Sequence, residues 1–264
     1  MMPKTEGWTR LRQRLGVAVG MVLALGAPAS AGICDHISHD GQGYVLCTLE
    51  AGAEPDLRLW LDDAAGRIYG DFGRLKADLP AGDVLLFAMN AGMFHADYSP
   101  VGLYLADGRQ VGAVQTRASR DNFGMLPNGV FCTGGKRPFA VIESRAFADN
   151  PPDCRLATQS GPMLVIEGAL HPRFLVDATS RYIRNGVGVS ADGQRAWFAI
   201  SDRPVTFHEF GRLFRDGLGA RNALYFDGSV SRLYAPEVGR ADWGRRLGPI
   251  IGLVAPGRDQ ARAD

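Results

Sequence analysis

A few short polar segments of this 264-residue chain hold the side chains that could do chemistry. Asp227-Gly228-Ser229-Val230-Ser231 follows the apolar run 223–226. An acid at the mouth of such a run can serve as base, nucleophile or ligand clamp; the bland alternative is an Asp-Gly turn. Arg184-Asn185-Gly186-Val187-Gly188-Val189 sets a guanidinium beside glycines that leave room for an anion. The planar fork of arginine fits phosphate oxygens through two parallel hydrogen bonds, although in so arginine-rich a chain a plain surface residue is the alternative. Asn90-Ala91-Gly92-Met93-Phe94 closes another apolar run, and Gly92 permits positive φ or a close approach of ligand to backbone. A tight turn held by Asn90 is the competing reading. Gln159-Ser160-Gly161-Pro162 offers an amide and a hydroxyl just before a strand, suited equally to a hydroxyl-rich ligand or a satisfied loop. Asn128-Gly129 reads as a turn first and a ligand contact second.

Other chemistries find little support. Ser160 is not in a G-x-S-x-G elbow, so a hydrolase nucleophile is a poor reading. There is no P-loop, no G-x-G-x-x-G after a strand, and no kinase set. His95, His171 and His208 are too scattered to spell a metal site, and His36 and His39 read as surface. Neither a metal nor a cofactor is expected. A formal net charge of +1 removes any global argument for nucleic acid, whose phosphates demand a basic footprint.

These side chains need elements to position them. With 34 glycines and 15 prolines, the composition favours short strands and turns over long helices. Alternating apolar and polar residues predict strands at 44–49 and 57–61, and continuous apolar runs predict buried strands at 84–89 and 223–226. Asp107-Gly108, Gly134-Gly135 and Asp192-Gly193 each lie between a pair of strand-like runs, which predicts three hairpins. A further strand is expected at 163–166. Thr206-Phe207-His208-Glu209 is a capping box, with Phe207, Phe210, Phe214 and Leu218 on one helical face behind it. The expected fold class is α+β: a single domain, a strand-rich mixed sheet with hairpins and a few packed helices.

The first 31 residues read as an address. A basic run at 9–14, a short apolar stretch at 15–27 and Ala29-Ser30-Ala31 form a signal peptide with its cleavage site. The apolar stretch is shorter than the roughly 20 residues a membrane span takes. The domain is therefore expected at 32–264, periplasmic or secreted, without stable membrane insertion. In an oxidising compartment Cys34, Cys47, Cys132 and Cys154 suggest two disulfides. Three connectivities are open; pairing neighbours, Cys34–Cys47 and Cys132–Cys154, closes the shortest loops.

In their order along the chain, the Asn90, Asn128, Gln159, Arg184 and Asp227 segments resemble the phosphodiester glycosidase domain family, in an uncovering-enzyme-like, exported bacterial branch. The resemblance spans about 84–253. Ala91, Met93 and Val230 depart from glycine and aromatic positions usual in the family, which leaves the identity of the sugar open. The resemblance implies hydrolysis of the C1–O bond of a sugar joined through its anomeric oxygen to a phosphodiester. It implies Arg184 on the phosphate and Asp227 facing the oxocarbenium-like carbon. Asn90, Gln159 and Ser229 would hold sugar or phosphate oxygens, with Gly92, Asn128, Ser160, Gly161, Asn185 and Gly228 lining the site. Glu143, Asp202 and Glu209 are all open as a second carboxylate. The implied partner is a glycan or sugar-phosphate substrate. A non-catalytic binding module for such ligands, or a phosphatase-like hydrolase cutting P–O instead, remains an alternative.

Overall fold

The computed structural model describes residues 32–52 and 56–256, and the expected signal peptide lies outside the described residues. Among the described residues the strands form three sheets, and every pairing is antiparallel. The strand-rich α+β class holds, with the strands shared among three sheets rather than gathered in one mixed sheet. The seven-stranded sheet runs Cys34–His39, Gln42–Glu50, Arg195–Ser201, Asn185–Val189, Asn222–Asp227, Met163–Ile166, Ala169–Leu170. A five-stranded sheet runs Arg240–Ala241, Leu233–Ala235, Val84–Asn90, Ile250–Ala255, Asp56–Trp60. The third, also five-stranded, runs Arg109–Val111, Tyr104–Ala106, Leu156–Ser160, Gly129–Thr133, Phe139–Glu143.

The three expected hairpins form. Asp107 and Gly108 take φ of 50° and 76°, the left-handed pair whose twist matches the flanking strands. The sheets meet through aromatic side chains. Phe87, Phe131 and Phe198 come one from each sheet, and the Phe198 ring centroid lies 5.4 Å from Phe87 and 5.6 Å from Phe131. Each buried phenylalanine contributes about 1.5–3 kcal/mol through removal from water, and here that contribution also fixes how the sheets stack.

The capping box forms as expected: the Glu209 amide donates to Thr206 Oγ1, and the Thr206 amide donates to Glu209 Oε2. The helix Phe207–Arg212 then widens into a π-type turn, Leu213–Gly217, closed by the Leu218 amide on the Leu213 carbonyl. Phe210 and Phe214 are buried against Tyr44, Leu164 and Tyr225, covering one face of the largest sheet. Both disulfides join the expected neighbours, Cys34 to Cys47 and Cys132 to Cys154. The first crosses directly opposed positions of adjacent strands. Among the described residues no helix is long and apolar enough to cross a membrane.

Candidate active site

Strand ends from all three sheets converge on one buried polar junction. Val84–Asn90 and Asn222–Asp227 end there in Asn90 and Asp227, Leu156–Ser160 ends in Ser160, and Asn185–Val189 begins with Asn185. Asn90 Nδ2 donates to Asn185 Oδ1 (3.2 Å), and Asn185 Nδ2 donates back to the Asn90 carbonyl (2.8 Å). This reciprocal pair ties two sheets. Ser160 Oγ donates to the Phe226 carbonyl (2.8 Å) and Thr158 Oγ1 to the Ala91 carbonyl (2.6 Å), which ties in the third. Asn185 is the cross-strand partner of Asp227. Ser231 Oγ donates to the Asp227 carbonyl (2.5 Å) and lies 3.2 Å from Asn185 Oδ1, folding the loop after Asp227 back over the junction. Polar groups this deep must be paired to be tolerated, and these pairs set the positions of the charged groups.

Among the described residues only one carboxylate, Asp227, and two guanidiniums, Arg184 and Arg232, are buried; the backbone of each belongs to this junction. Burial pushes the Asp227 carboxyl above the usual carboxylate range, and the Ser229, Gly228 and Val230 amides pull only partly against it. Gly228 and Ser229 donate to Asp227 Oδ1 at 2.6 and 2.8 Å. Arg184 is fully buried, with Nε on the Val205 carbonyl (2.9 Å), Nη2 on the Ser180 carbonyl (3.2 Å) and Nη1 on Tyr225 Oη (3.2 Å). Its guanidinium carbon stands 3.6 Å from the Phe207 ring centroid and 5.4 Å from that of Tyr182. Burial lowers its pKa, and it has no carboxylate partner among the described ion pairs. Aromatic faces and neutral carbonyls hold the cation in place without cancelling its charge.

Tyr225 connects the two. Its hydroxyl accepts from Arg184 and occupies the space a Cβ at position 228 would need, so glycine follows Asp227 because nothing larger fits. Burial raises the Tyr225 hydroxyl far above its ordinary pKa, and the Arg184 and Asp227 charges both act on it.

The other expected site residues divide. Successive strand residues face opposite ways, so Ser160 turns to the junction while Gln159 turns from it. Gln159 accepts from the Leu103 and Gln115 amides and donates to the Gln115 carbonyl and Ser144 Oγ, committing its whole amide to the protein. Asn128 Nδ2 holds the Phe123 and Gln115 carbonyls, so both amides anchor the loop around 115–126. Gly92, at φ +146°, lies against the Gln159 carbonyl and Thr158 Oγ1; its close neighbour is protein backbone. Gly161 sits more tightly still, against the Phe123 carbonyl and Asn128 Cβ. The room expected beside Arg184 is filled: the Leu224 carbonyl abuts Gly186 and the Phe214 ring abuts Gly188. Ser229 is exposed at the rim.

The three candidates for a second carboxylate are occupied elsewhere. Glu143 caps the helix Ser144–Asp149, and Asp202 pairs with Arg240 at 3.1 Å. Burial pushes the Glu209 carboxyl up, but the Thr206 amide and the Arg181 guanidinium outweigh it and hold it below the ordinary range. Among the described residues, no three His, Cys, Asp or Glu side chains cluster as a metal site would require. Tyr225 and Arg232 escaped the sequence reading. Arg232 had a legible signal, a charge directly before the apolar strand Leu233–Ala235.

Comparison with known proteins bears on the family and the fold. The phosphodiester glycosidase family matches residues 83–253. The uncharacterized protein YigE of Escherichia coli K12 is 32% identical over 199 residues, covering 75% of this chain and 76% of that protein. A Burkholderia pseudomallei protein assigned as exported is similar in structure, with a TM-score of 0.51 at 14% identity over 80% of this chain and 74% of that one. It speaks to the fold. The zebrafish N-acetylglucosamine-1-phosphodiester alpha-N-acetylglucosaminidase catalytic domain, auto-inhibited by its pro-peptide, aligns with a TM-score of 0.48 at 13% identity, over 79% of this chain and 87% of that one.

Proposed function

The chain belongs to the phosphodiester glycosidase family, and from that premise we propose that it is an exported hydrolase of sugar 1-phosphodiesters in envelope or extracellular glycans. The observation that carries this reading is the presence, at one junction, of a buried carboxylate and of a buried guanidinium without a carboxylate partner. Two disulfides and the leader-like N-terminus support a periplasmic or secreted site of action.

In this reading Arg184, its guanidinium nitrogens held by the protein, stabilises the phosphate through its charge. Its charge is undiluted by any acid, and the surrounding aromatic rings keep water from screening it. Asp227 faces the anomeric carbon and accepts a proton from the attacking water. Water oxygen bonds to C1, the C1–O bond breaks, and the phosphate monoester departs with the bonding pair. A phosphate monoester is stable as an anion, so the leaving group needs electrostatic stabilisation more than protonation. One carboxylate therefore suffices, in keeping with the commitments of Glu143, Asp202 and Glu209 elsewhere. A direct attack by water inverts the anomeric configuration; retention would instead make Asp227 the nucleophile.

The test is a screen of the purified protein against a panel of glycosyl-1-phosphodiesters, reading both binding and free sugar. Release of reducing sugar from at least one member, at a rate lost in Asp227→Asn, supports the hydrolase. Binding without release across the panel would replace it with a glycan-binding module.

A further inference from the structure

Arg232 is 6% exposed, and its Nε and Nη2 are buried without a hydrogen-bond partner. Its backbone is fixed: the amide donates to Asn90 Oδ1 at 2.9 Å, five positions after Asp227 on the loop that folds over the junction. Two carboxylates act on it through space, Asp71 and Asp242, and both are committed to other donors. Asp71 caps the helix Phe72–Ala77 by accepting from the Arg74 amide (2.8 Å). Asp242 accepts from the Leu233 amide (2.9 Å) and pairs with Arg240 (3.1 Å). Leaving guanidinium N–H groups both buried and unmatched is costly, and folded proteins rarely do so without a water, an ion or a ligand to complete them.

Arg184 sets the contrast. All three of its guanidinium nitrogens donate to the protein, so its hydrogen bonds orient it while its charge stays available. Arg232 has two buried donor nitrogens without a hydrogen-bond partner, and Asp71 and Asp242 act on its charge only through space. Three features compose a match for it: a negative charge, more than one acceptor oxygen, and a geometry that takes two N–H bonds side by side. Phosphate-class oxyanions have all three.

We infer that Arg232 is a second anion-binding residue of this site, one that takes a phosphate-class oxyanion through Nε and Nη2. The inference rests on the reading of the junction as a sugar-phosphate site and adds a further anionic contact beyond Arg184. It makes the preferred ligand one whose phosphate, or a second acidic group close to it, reaches the loop after Asp227.

The experiment uses inorganic phosphate as the probe, with chloride at matched ionic strength as the control. Calorimetric affinity and melting temperature are measured for the parent, Arg232→Gln and Arg232→Lys. Arg232→Gln is expected to weaken phosphate binding at least tenfold, yet to melt at or above the parent in phosphate-free buffer, because a buried unmatched charge has been removed. Arg232→Lys, with charge but no fork, is expected to fall between them. Phosphate affinity in Arg232→Gln within twofold of the parent, no phosphate binding by the parent, or an Arg232→Gln protein that melts well below the parent or does not fold would each overturn the inference. The two readings fail separately. Phosphate binding through Arg232 without sugar release from any phosphodiester leaves the anion site standing and removes the hydrolase. Sugar release that is indifferent to Arg232→Gln does the reverse.

Discussion

The strand Asn222–Asp227 has two ends, and they handle charge in opposite ways. At the Asn222 end a groove of about 810 Å³ opens between the Gly134-Gly135 hairpin, Pro151, Pro152 and Arg221. Arg221 there pairs with Glu167, and Asn222 donates to the Val141 carbonyl (3.1 Å) and to Glu167 Oε1 (3.2 Å). The carboxyl of Glu167 is held below its ordinary value, with the Asn222 amide the largest cause and burial opposing. The Asp227 end is packed tightly, with Gly228 pressed against the Tyr225 hydroxyl. Yet the described buried carboxylate and both buried guanidiniums stand there without a direct salt bridge; Arg245 acts on Asp227, and Asp71 and Asp242 on Arg232, only through space. Volume and buried charge thus lie at opposite ends of this strand. At the spacious end the charges are paired directly, and at the crowded end they are buried without a direct salt bridge.

Asp227→Asn should separate the two ends most strongly. The carboxyl is raised by burial, so folding favours its protonated form. The stability it contributes is complete below the ordinary carboxylate range and is lost as pH climbs through the raised folded value. Asn carries no charge at any pH and keeps an oxygen for the Gly228 and Ser229 amides. Turnover should fall by roughly 10²–10⁴, while the variant melts at or above the parent at neutral pH and the difference closes on acidification. Steady-state kinetics and a melting series against pH check both halves. A variant with parental turnover would return Asp227 to the role of a turn residue.

Arg184→Lys comes next. It keeps the charge but loses the fork and the Val205, Tyr225 and Ser180 geometry. Charge-assisted hydrogen bonds of this kind are worth about 1.5–3 kcal/mol, so kcat/KM for a phosphodiester should drop roughly 10- to 100-fold. The drop should be smaller for a glycoside with a neutral leaving group, and equal losses on both would count against a phosphate role. Reduction of the disulfides acts on the fold as a whole. Each bridge is worth about 2–4 kcal/mol, and reductant should lower the melting temperature; four free thiols in the native protein by mass-shift labelling would contradict the pairing. The weakest response belongs to the other end of the strand. Arg221→Gln breaks an exposed pair worth about 1 kcal/mol or less, and turnover should stay within twofold. A large loss there would dissolve the distinction between the two ends.

Much of this was legible in the sequence because the informative contacts are local. Asp107-Gly108 announces its hairpin through backbone conformation alone, and Thr206 with Glu209 closes a capping box within one turn. The strand Ile250–Ala255 went unread although its sheet depends on it, as did Cys34–His39, whose mixed burial follows no clean period. Within the site, Asp227 and Arg184 were visible as charges at the edges of apolar runs. The role of Gln159 was not, since its amide is consumed by Leu103, Gln115 and Ser144, all distant from it in sequence. The glycines beside Arg184 looked like space for an anion and instead admit Leu224 and Phe214, a packing fact that no local pattern encodes.

If the Asp227 end of this strand cleaves the carbon–oxygen bond at an anomeric centre, the oxygen of water must finish on the sugar. Hydrolysis of a glycosyl-1-phosphodiester in ¹⁸O-labelled water, with the products separated and weighed by mass spectrometry, reads this outright. The label is expected on the C1 hydroxyl of the released sugar, with none in the phosphate monoester. Label in the phosphate would mean that P–O is the bond broken, and would contradict the assignment of Asp227 to the anomeric carbon.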